Sequence, residues 1–306
     1  NWEGANILTS APPGPVPPEV EPARVLLFQA RAARTHPATD DKVVAGWNGI
    51  AISGLAEAGR LLGREDFVAA AVRAAEFLLT ELRGADGRLM RSWRDGRTSG
   101  PAYLDDYALG ASALLDVYET TFEERFFHEA RSLADAMIAL FADQRGGFHD
   151  TGSDADALVL RPKDLVDNAV PAGNSVAAEV LLRLSAFTGE AAYEERAAGA
   201  LALVHDAFVR APTGFGHALC ALDAWANGVK EVALAGDPAS QELRALARVA
   251  WERVGLPKAL AAGSERIPLM DGRQPVAGAP AAYVCERFVC TQPVTDPSAL
   301  AALLDA

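Results

Sequence analysis

Apolar positions along this chain fall into blocks with a helical period. From near Trp47 to Leu62, residues Ile50, Ile52, Leu55, Ala58 and Leu61 meet few charges, and a helix apolar nearly all round is a buried one. After the break at Gly63-Arg64-Glu65, a second helix is predicted from about Asp66 to Leu82. It carries Phe67, Ala71, Ala75 and Leu79 at four-residue steps, and it leaves Arg73, Glu76 and Glu81 to water. Asp86-Gly87-Arg88-Leu89 then turns the chain. The same order returns as a buried helix from Leu104 to Glu119, an outer helix with Phe126, Ala130, Ala134 and Ile138, and the turn Gly146-Gly147-Phe148. It returns again as a helix from Asn174 to Thr188, an outer helix with Tyr193, Ala197, Leu201 and His205, and Gly214-Phe215. A fourth inner helix is predicted from His217 to Trp225, without an outer partner after it. A supersecondary unit repeated in this way predicts a mainly α fold, an (α/α) toroid or solenoid of helical hairpins.

The flanks differ. Ala11 to Pro22 is crowded with proline and reads as an extended linker, and Glu21 to Thr35 as a helix ending before Pro37. Past the repeats, Val232 to Gly236 and Ala281 to Cys285 read as strands around a helix from Ser240 to Val254. That order suggests a small parallel unit with a right-handed crossover. Asp296 is the expected N-cap, and Pro297 the first residue, of a closing helix. The expected division is a linker and first helix over 1–39, the hairpin toroid over 40–228, and a small α/β element over 229–306 packed on the toroid.

Composition narrows the partners. With 306 residues, half of them hydrophobic, the chain can bury a large core. A formal charge of −13 lacks the basic footprint that nucleic acid or an anionic membrane requires. No apolar run approaches the roughly 20 residues that span a bilayer, and no basic stretch followed by an apolar one reads as an export signal, so export is not expected. The opening Asn1-Trp2-Glu3 without Met suggests a fragment or a processed product. Three cysteines make no disulfide framework, which fits a cytoplasmic protein. Cys285 and Cys290 read as buried thiols, with a redox pair as the alternative, and Cys220 reads as core packing. No motif has metal-ligand spacing and no glycine-rich loop cradles a dinucleotide, so neither metal nor cofactor is expected.

Candidate chemistry gathers where the inner helices begin. Asp105 and Asp106 are adjacent acids; crowding raises one pKa and suits proton transfer, although an N-cap role competes. A second carboxylate across a glycosidic bond would have to come from Asp41 or Asp167. Arg161 and Lys163 suit an anionic group or a solvated loop. Asn174 and Ser175 suit a cap or a sugar hydroxyl. Trp47, Asn48, Tyr103 and Tyr107 offer stacking and polar contacts or simply packing. His149 and His217 both follow Gly-Phe turns and could act as an acid–base pair or stand in exposed turns. These parts suit a sugar-like small molecule, transformed by hydrolysis or isomerisation, or bound by a non-catalytic module.

Several runs also carry a family resemblance. Asp40-Asp41-Lys42 through Trp47-Asn48-Gly49 and Tyr103-Leu104-Asp105-Asp106-Tyr107 are two of them. Arg161 with Lys163, Pro171 to Ser175, and Ala282-Tyr283-Val284-Cys285 with Cys290 complete the set. Together they resemble the bacterial and animal thioredoxin-domain proteins related to spermatogenesis-associated protein 20. The resemblance implies a toroid of the six-hairpin glycosidase type, similar in shape to the N-acylglucosamine 2-epimerases; three hairpins, a partial fourth and one helix before them fall short of twelve helices, so an incomplete ring is expected. It also implies a thioredoxin-like domain as partner; Asn1 to Leu8 is similar to a family segment lying well after that domain. Ala172 stands where the family commonly has serine, and His149 where it has an aromatic residue.

Overall fold

A computed structural model describes residues 3–4, 14–15, 17–156 and 159–306. Asn1-Trp2, most of the segment to Leu8, and residues 11–13 and 16 of the proline-rich stretch lie outside the described residues. The chain divides into two compact units, Asn1–Asp41 and Lys42–Ala306. The first holds helix α1 (Val20–Ala32), which buries no residue and ends ahead of Pro37.

The second unit is built on the repeated hairpin. The inner helices are α2 (Ala45–Leu62), α4 (Leu104–Thr121), α6 (Gly173–Thr188) and α9 (Gly216–Asn227), and they pack in series, each against the next. The outer helices α3 (Glu65–Thr80), α5 (Glu124–Phe141) and α7 (Ala191–Ala202) pack on α2, α4 and α6 respectively. This is a mainly α, (α/α) hairpin architecture. The predicted outer helix through His205 is shorter than expected: α7 stops at Ala202, and a separate short helix, α8, runs His205–Arg210.

The repeat buries what its periodicity promises. Ala71 and Ala75 of α3, Phe126, Ala130 and Ala134 of α5, and Tyr193 and Ala197 of α7 all face the core. Tyr118, Phe127 and Phe187 join three helices, with ring centroids 5.4–5.7 Å apart. Small residues let the inner helices touch. A Cβ on Gly49 of α2 would lie 2.7 Å from the Leu109 carbonyl oxygen of α4, so only glycine permits that approach.

Two sheets complete the unit. Strands β1 (Val43–Val44), β2 (Met90–Arg94) and β3 (Arg97–Pro101) form an antiparallel sheet. The β2–β3 turn is Asp95-Gly96 with φ of +50° and +77°, the mirror-image turn that matches strand twist. The second sheet has β4 (Lys230–Ala235), β5 (Lys258–Ala262), β6 (Ala281–Glu286) and β7 (Val289–Cys290) in the order β5-β4-β6-β7. Here the parallel unit needs correcting. The strand parallel to β4 is β5, reached through α10 (Gln241–Trp251), whereas the predicted strand at 281–285 pairs antiparallel to β4. The closing helix α11 (Pro297–Leu304) begins as expected, with Asp296 accepting from the Ala299 amide at 2.9 Å.

The α/β element meets the C-terminal ends of the inner helices. The Tyr118 hydroxyl donates to the Ala262 carbonyl at 3.2 Å and accepts from the Ala262 amide at 3.1 Å. The Leu260 amide donates to Glu119 Oε1 at 3.4 Å, and the Trp251 indole to the Glu119 carbonyl at 3.0 Å. The opposite, N-terminal ends of the inner helices are thereby left for loops.

The cysteines also depart from expectation. Cys285 and Cys290 are opposite one another in the β6–β7 pairing and form a disulfide rather than a pair of free thiols. Cys220 is free and exposed, not a core residue, because its position on α9 faces away from the neighbouring helices. Among the described residues no helix is long and apolar enough to cross a membrane.

Candidate active site at the inner-helix N-termini

Each inner helix begins with free N–H groups and partial positive charge, so carboxylates are stabilised there. Asp106 sits in the first turn of α4 and is wholly buried. Its Oδ2 accepts from the Tyr103 amide at 2.9 Å, closing the start of its own helix. Its Oδ1 accepts from the Gly46 amide at 2.8 Å, closing the start of α2, and lies 2.8 Å from Nη1 of Arg91 on β2. Burial and the Asp105 charge push this carboxyl up to about 6, against the pull of Arg91 and the Tyr103 amide. Its two oxygens accept from amides at the starts of α2 and α4, and so it ties two helix ends together.

Asp167 does the same for α6 and α9. Its Oδ1 accepts from Ala172 N at 2.9 Å and its Oδ2 from His217 N and Ala218 N at 2.8 and 3.0 Å. Asn174 caps nothing; the residue before α6 is Ala172. The buried Asn174 amide instead clips the preceding loop, with Oδ1 accepting from Phe148 N and Nδ2 donating to the Phe148 and Asp164 carbonyls. Ser175 is buried beside it.

One residue earlier than Asp106, the helical rotation of about 100° turns Asp105 outward. Both its oxygens accept from Arg91 Nη1, at 3.0 and 2.9 Å, and it lines a cleft of about 280 Å³. Tyr103, Asp150, Thr151 and Asp164 line the same cleft, with Pro171 and Gly173 at the start of α6. Tyr103 is 44 % exposed, and the Arg91 guanidinium stands 5.2 Å from its ring centroid. Asp150 is fixed from both sides: its carbonyl accepts from Leu104 N at 3.0 Å, and its Oδ1 accepts from Asp164 N at 2.8 Å. Burial, then the charges of Asp164 and Asp105, raise its pKa above the ordinary carboxylate value. The cleft thus places an acid of raised pKa near an ion-paired carboxylate and an aromatic face.

The structure does not bring every predicted residue here. Tyr107 is in the core, its hydroxyl accepting from Leu89 N and Arg88 Nη1. Trp47 is 59 % exposed at the start of α2, and Asn48 donates to the Val44 carbonyl at 2.9 Å. Asp41 belongs to the N-terminal unit, which is described by itself, and is exposed there. Arg161 donates to the Thr151 and Leu140 carbonyls, and Lys163 to the Gly146 carbonyl, so both brace the loop behind the cleft. Lys163 also lies 3.0 Å from Asp143, which the Arg145 amide and Lys163 hold well below the usual carboxylate range. His149 Nδ1 donates to the Arg161 carbonyl at 3.0 Å, and its Nε2 is 3.4 Å from Asp143. His217 has a different carboxylate, Glu179, so the two histidines make no pair.

Two acids of the cleft, and the arginine that pairs with Asp105, escaped sequence reasoning. Asp150 and Asp164 lie in the irregular segment between α5 and α6, where no period marks a face. Arg91 lies on β2, whose Asp95-Gly96 turn is a hairpin signal that was present in the sequence.

A second polar cluster crosses the inner helices. His217 Nε2 is 2.7 Å from Glu179 Oε2, and Glu179 Oε1 is 3.7 Å from Arg183. Arg183 reaches Asp116 at 2.8 Å and Glu119 at 3.3 Å, and Glu119 is 3.8 Å from Arg60. Burial works to lower the His217 pKa, but the Glu179 carboxylate outweighs it and the net shift is upward. Folding therefore favours protonated His217. Its stabilisation is full below the unfolded value near 6.5 and is lost as pH rises through the folded pKa. Glu179→Gln is expected to flatten that pH dependence, measured by urea unfolding between about pH 6 and 9. An unchanged slope would mean that Glu179 does not charge His217. Among the described residues no group of three or more His, Cys, Asp or Glu could hold a metal ion.

No family model matches the chain. Human spermatogenesis-associated protein 20 is 34 % identical over 313 residues, covering 94 % of this chain and 40 % of its own length. The Mus musculus protein of the same name is 33 % identical over 316 residues, with coverage of 94 % and 40 %. The chain thus spans about two fifths of the length of the curated relatives it matches. Among solved structures, cellobiose 2-epimerase from Spirochaeta thermophila superposes with a TM-score of 0.45 at 16 % identity, covering 61 % of this chain and 55 % of that one. A family 105 glycoside hydrolase from C. acetobutylicum gives 0.42 at 13 % identity, covering 58 % and 56 %.

Proposed function

We propose, starting from a chain that belongs to the family of spermatogenesis-associated protein 20, that the cleft at the inner-helix N-termini takes a sugar and does acid–base chemistry on it. The observation that carries this reading is the convergence of Asp105, Asp150, Asp164 and Tyr103 on one cleft of about 280 Å³. That volume admits a monosaccharide unit. Carboxylates accept from its hydroxyls, and an aromatic face stacks on its C–H surface. Asp150, with its raised pKa, is the proton donor to a glycosidic or ring oxygen; Asp105 is the base. Asp164 fixes Asp150 through its amide. Hydrolysis and epimerisation both use this pair.

Binding without turnover is the second reading. The Arg91 contacts to both Asp105 oxygens favour it, because they occupy the base. A thioredoxin-like domain would then be the partner that the helical unit serves.

A panel of mono- and disaccharides screened by thermal shift and by turnover separates the readings. Asp150→Asn is expected to keep the melting temperature and to lower turnover about 10²- to 10⁴-fold. Asp105→Asn is expected to do the same. A ligand that binds with no turnover supports the binding module. A panel with no ligand, or variants that bind and turn over as the parent does, would refute the sugar site.

A further inference from the structure

The β6–β7 hairpin has a chemistry that the cleft does not use. Cys285 and Cys290 are register partners there and are joined by a disulfide. Cys285 is 1 % exposed, while Cys290 is partly exposed. Arg273 comes to this pair from a distant loop. Its Nη2 donates to Cys290 Sγ at 3.0 Å and lies 3.9 Å from Cys285 Sγ. Its Nε is buried without a hydrogen-bond partner, and its guanidinium stands 5.7 Å from the Tyr283 ring centroid. Its Nη1 donates to the Asp271 carbonyl at 2.9 Å. A disulfide sulfur is a weak acceptor, so the half-buried guanidinium gains little from it. A thiolate in the same place is a full counter-charge.

The turn between the cysteines adds a second observation. Arg287 and Phe288 have φ of +50° and +63°, the left-handed region, without a glycine or asparagine to ease it. The Phe288 amide is held by Glu231 Oε2 at 2.8 Å. A tight closure built from unsuitable residues relaxes when the cross-link opens, which favours the reduced form.

We propose that Cys285 and Cys290 form a thiol–disulfide exchange site, in which Arg273 stabilises the thiolates and a dithiol is the reductant. A thiolate of the dithiol attacks Cys290 Sγ, the more exposed sulfur. The Cys285–Cys290 bond breaks and its electron pair leaves on Cys285 Sγ, beside the guanidinium. The second thiolate of the dithiol attacks its own mixed-disulfide sulfur and releases Cys290 as a thiolate facing Arg273. Two electrons pass to the protein, the dithiol becomes a disulfide, and its two protons go to solvent or to the new thiolates.

The test uses the folded chain in graded mixtures of reduced and oxidised dithiothreitol, with thiols counted by maleimide mass tagging. Exposed Cys220 is the internal reference. Expected are reversible reduction without loss of helical circular dichroism, and tagging of reduced Cys290 at about pH 6.5 roughly tenfold faster than Cys220. Arg273→Gln should bring that rate close to that of Cys220, and Arg273→Lys should restore part of it. A bond that yields only in denaturant would overturn the proposal, as would an Arg273→Gln pH profile identical to the parent. If Arg273→Gln fails to fold, the parent profile decides: Cys290 titrating like Cys220 overturns the proposal.

Discussion

Arg183→Met is expected to lower the unfolding free energy by about 4 kcal/mol, a large share of what a domain has. Arg183 is 8 % exposed and stands among Asp116, Glu119 and Glu179 on two inner helices. Those carboxylates overcome the effect of burial and hold its pKa above the usual arginine value. Removing the guanidinium leaves three acids facing one another, with Arg60 3.8 Å from Glu119 and His217 2.7 Å from Glu179 as counter-charges. Urea unfolding at pH 7 checks the loss, which should appear in the midpoint with little change in slope. Adding Glu119→Gln should recover part of it, since the two sites are coupled. A loss below about 1 kcal/mol would mean that water already screens the acids.

Asp106→Ala is expected to cost about 3 kcal/mol, because it strands the Gly46 and Tyr103 amides and takes one partner from Arg91. Asp105→Ala, one residue away, should cost under about 1 kcal/mol, because its side chain is part-exposed and its bonds among the described residues go to Arg91. Equal costs for the two would contradict this division between a structural and a cleft-facing acid. Thermal and urea unfolding of both variants measure it.

The difference between those neighbours shows what the sequence carries. Its periods made the hairpins legible, because burial of one face repeats every turn, and they also placed the polar clusters at the helix starts. They did not say which acid turns inward, since one helical step of rotation separates core from cleft. Asp150 and Asp164 sit in a segment ordered by hydrogen bonds to α4 and α6, so only the tertiary structure defines their direction. Strand β5, Lys258-Ala-Leu-Ala-Ala262, carries no β-branched residue; its pairing with β4 makes it a strand. The cysteine pair escaped for a related reason. A separation of five residues specifies a cross-strand partner only when the turn at Arg287-Phe288 is known, and its residues are not the usual ones for positive φ.

The hydroxyl of Tyr118 has a consequence beyond joining two parts of the fold. Strand β5 borders its sheet, and such a border usually presents unpaired amides and carbonyls to any passing chain. Here Tyr118 fills both groups of Ala262, and Glu119 takes the Leu260 amide. A helix end stands in for the missing neighbour strand. Recruitment of a further strand on that flank is thereby blocked, and accretion of one sheet onto another is confined to the β7 side.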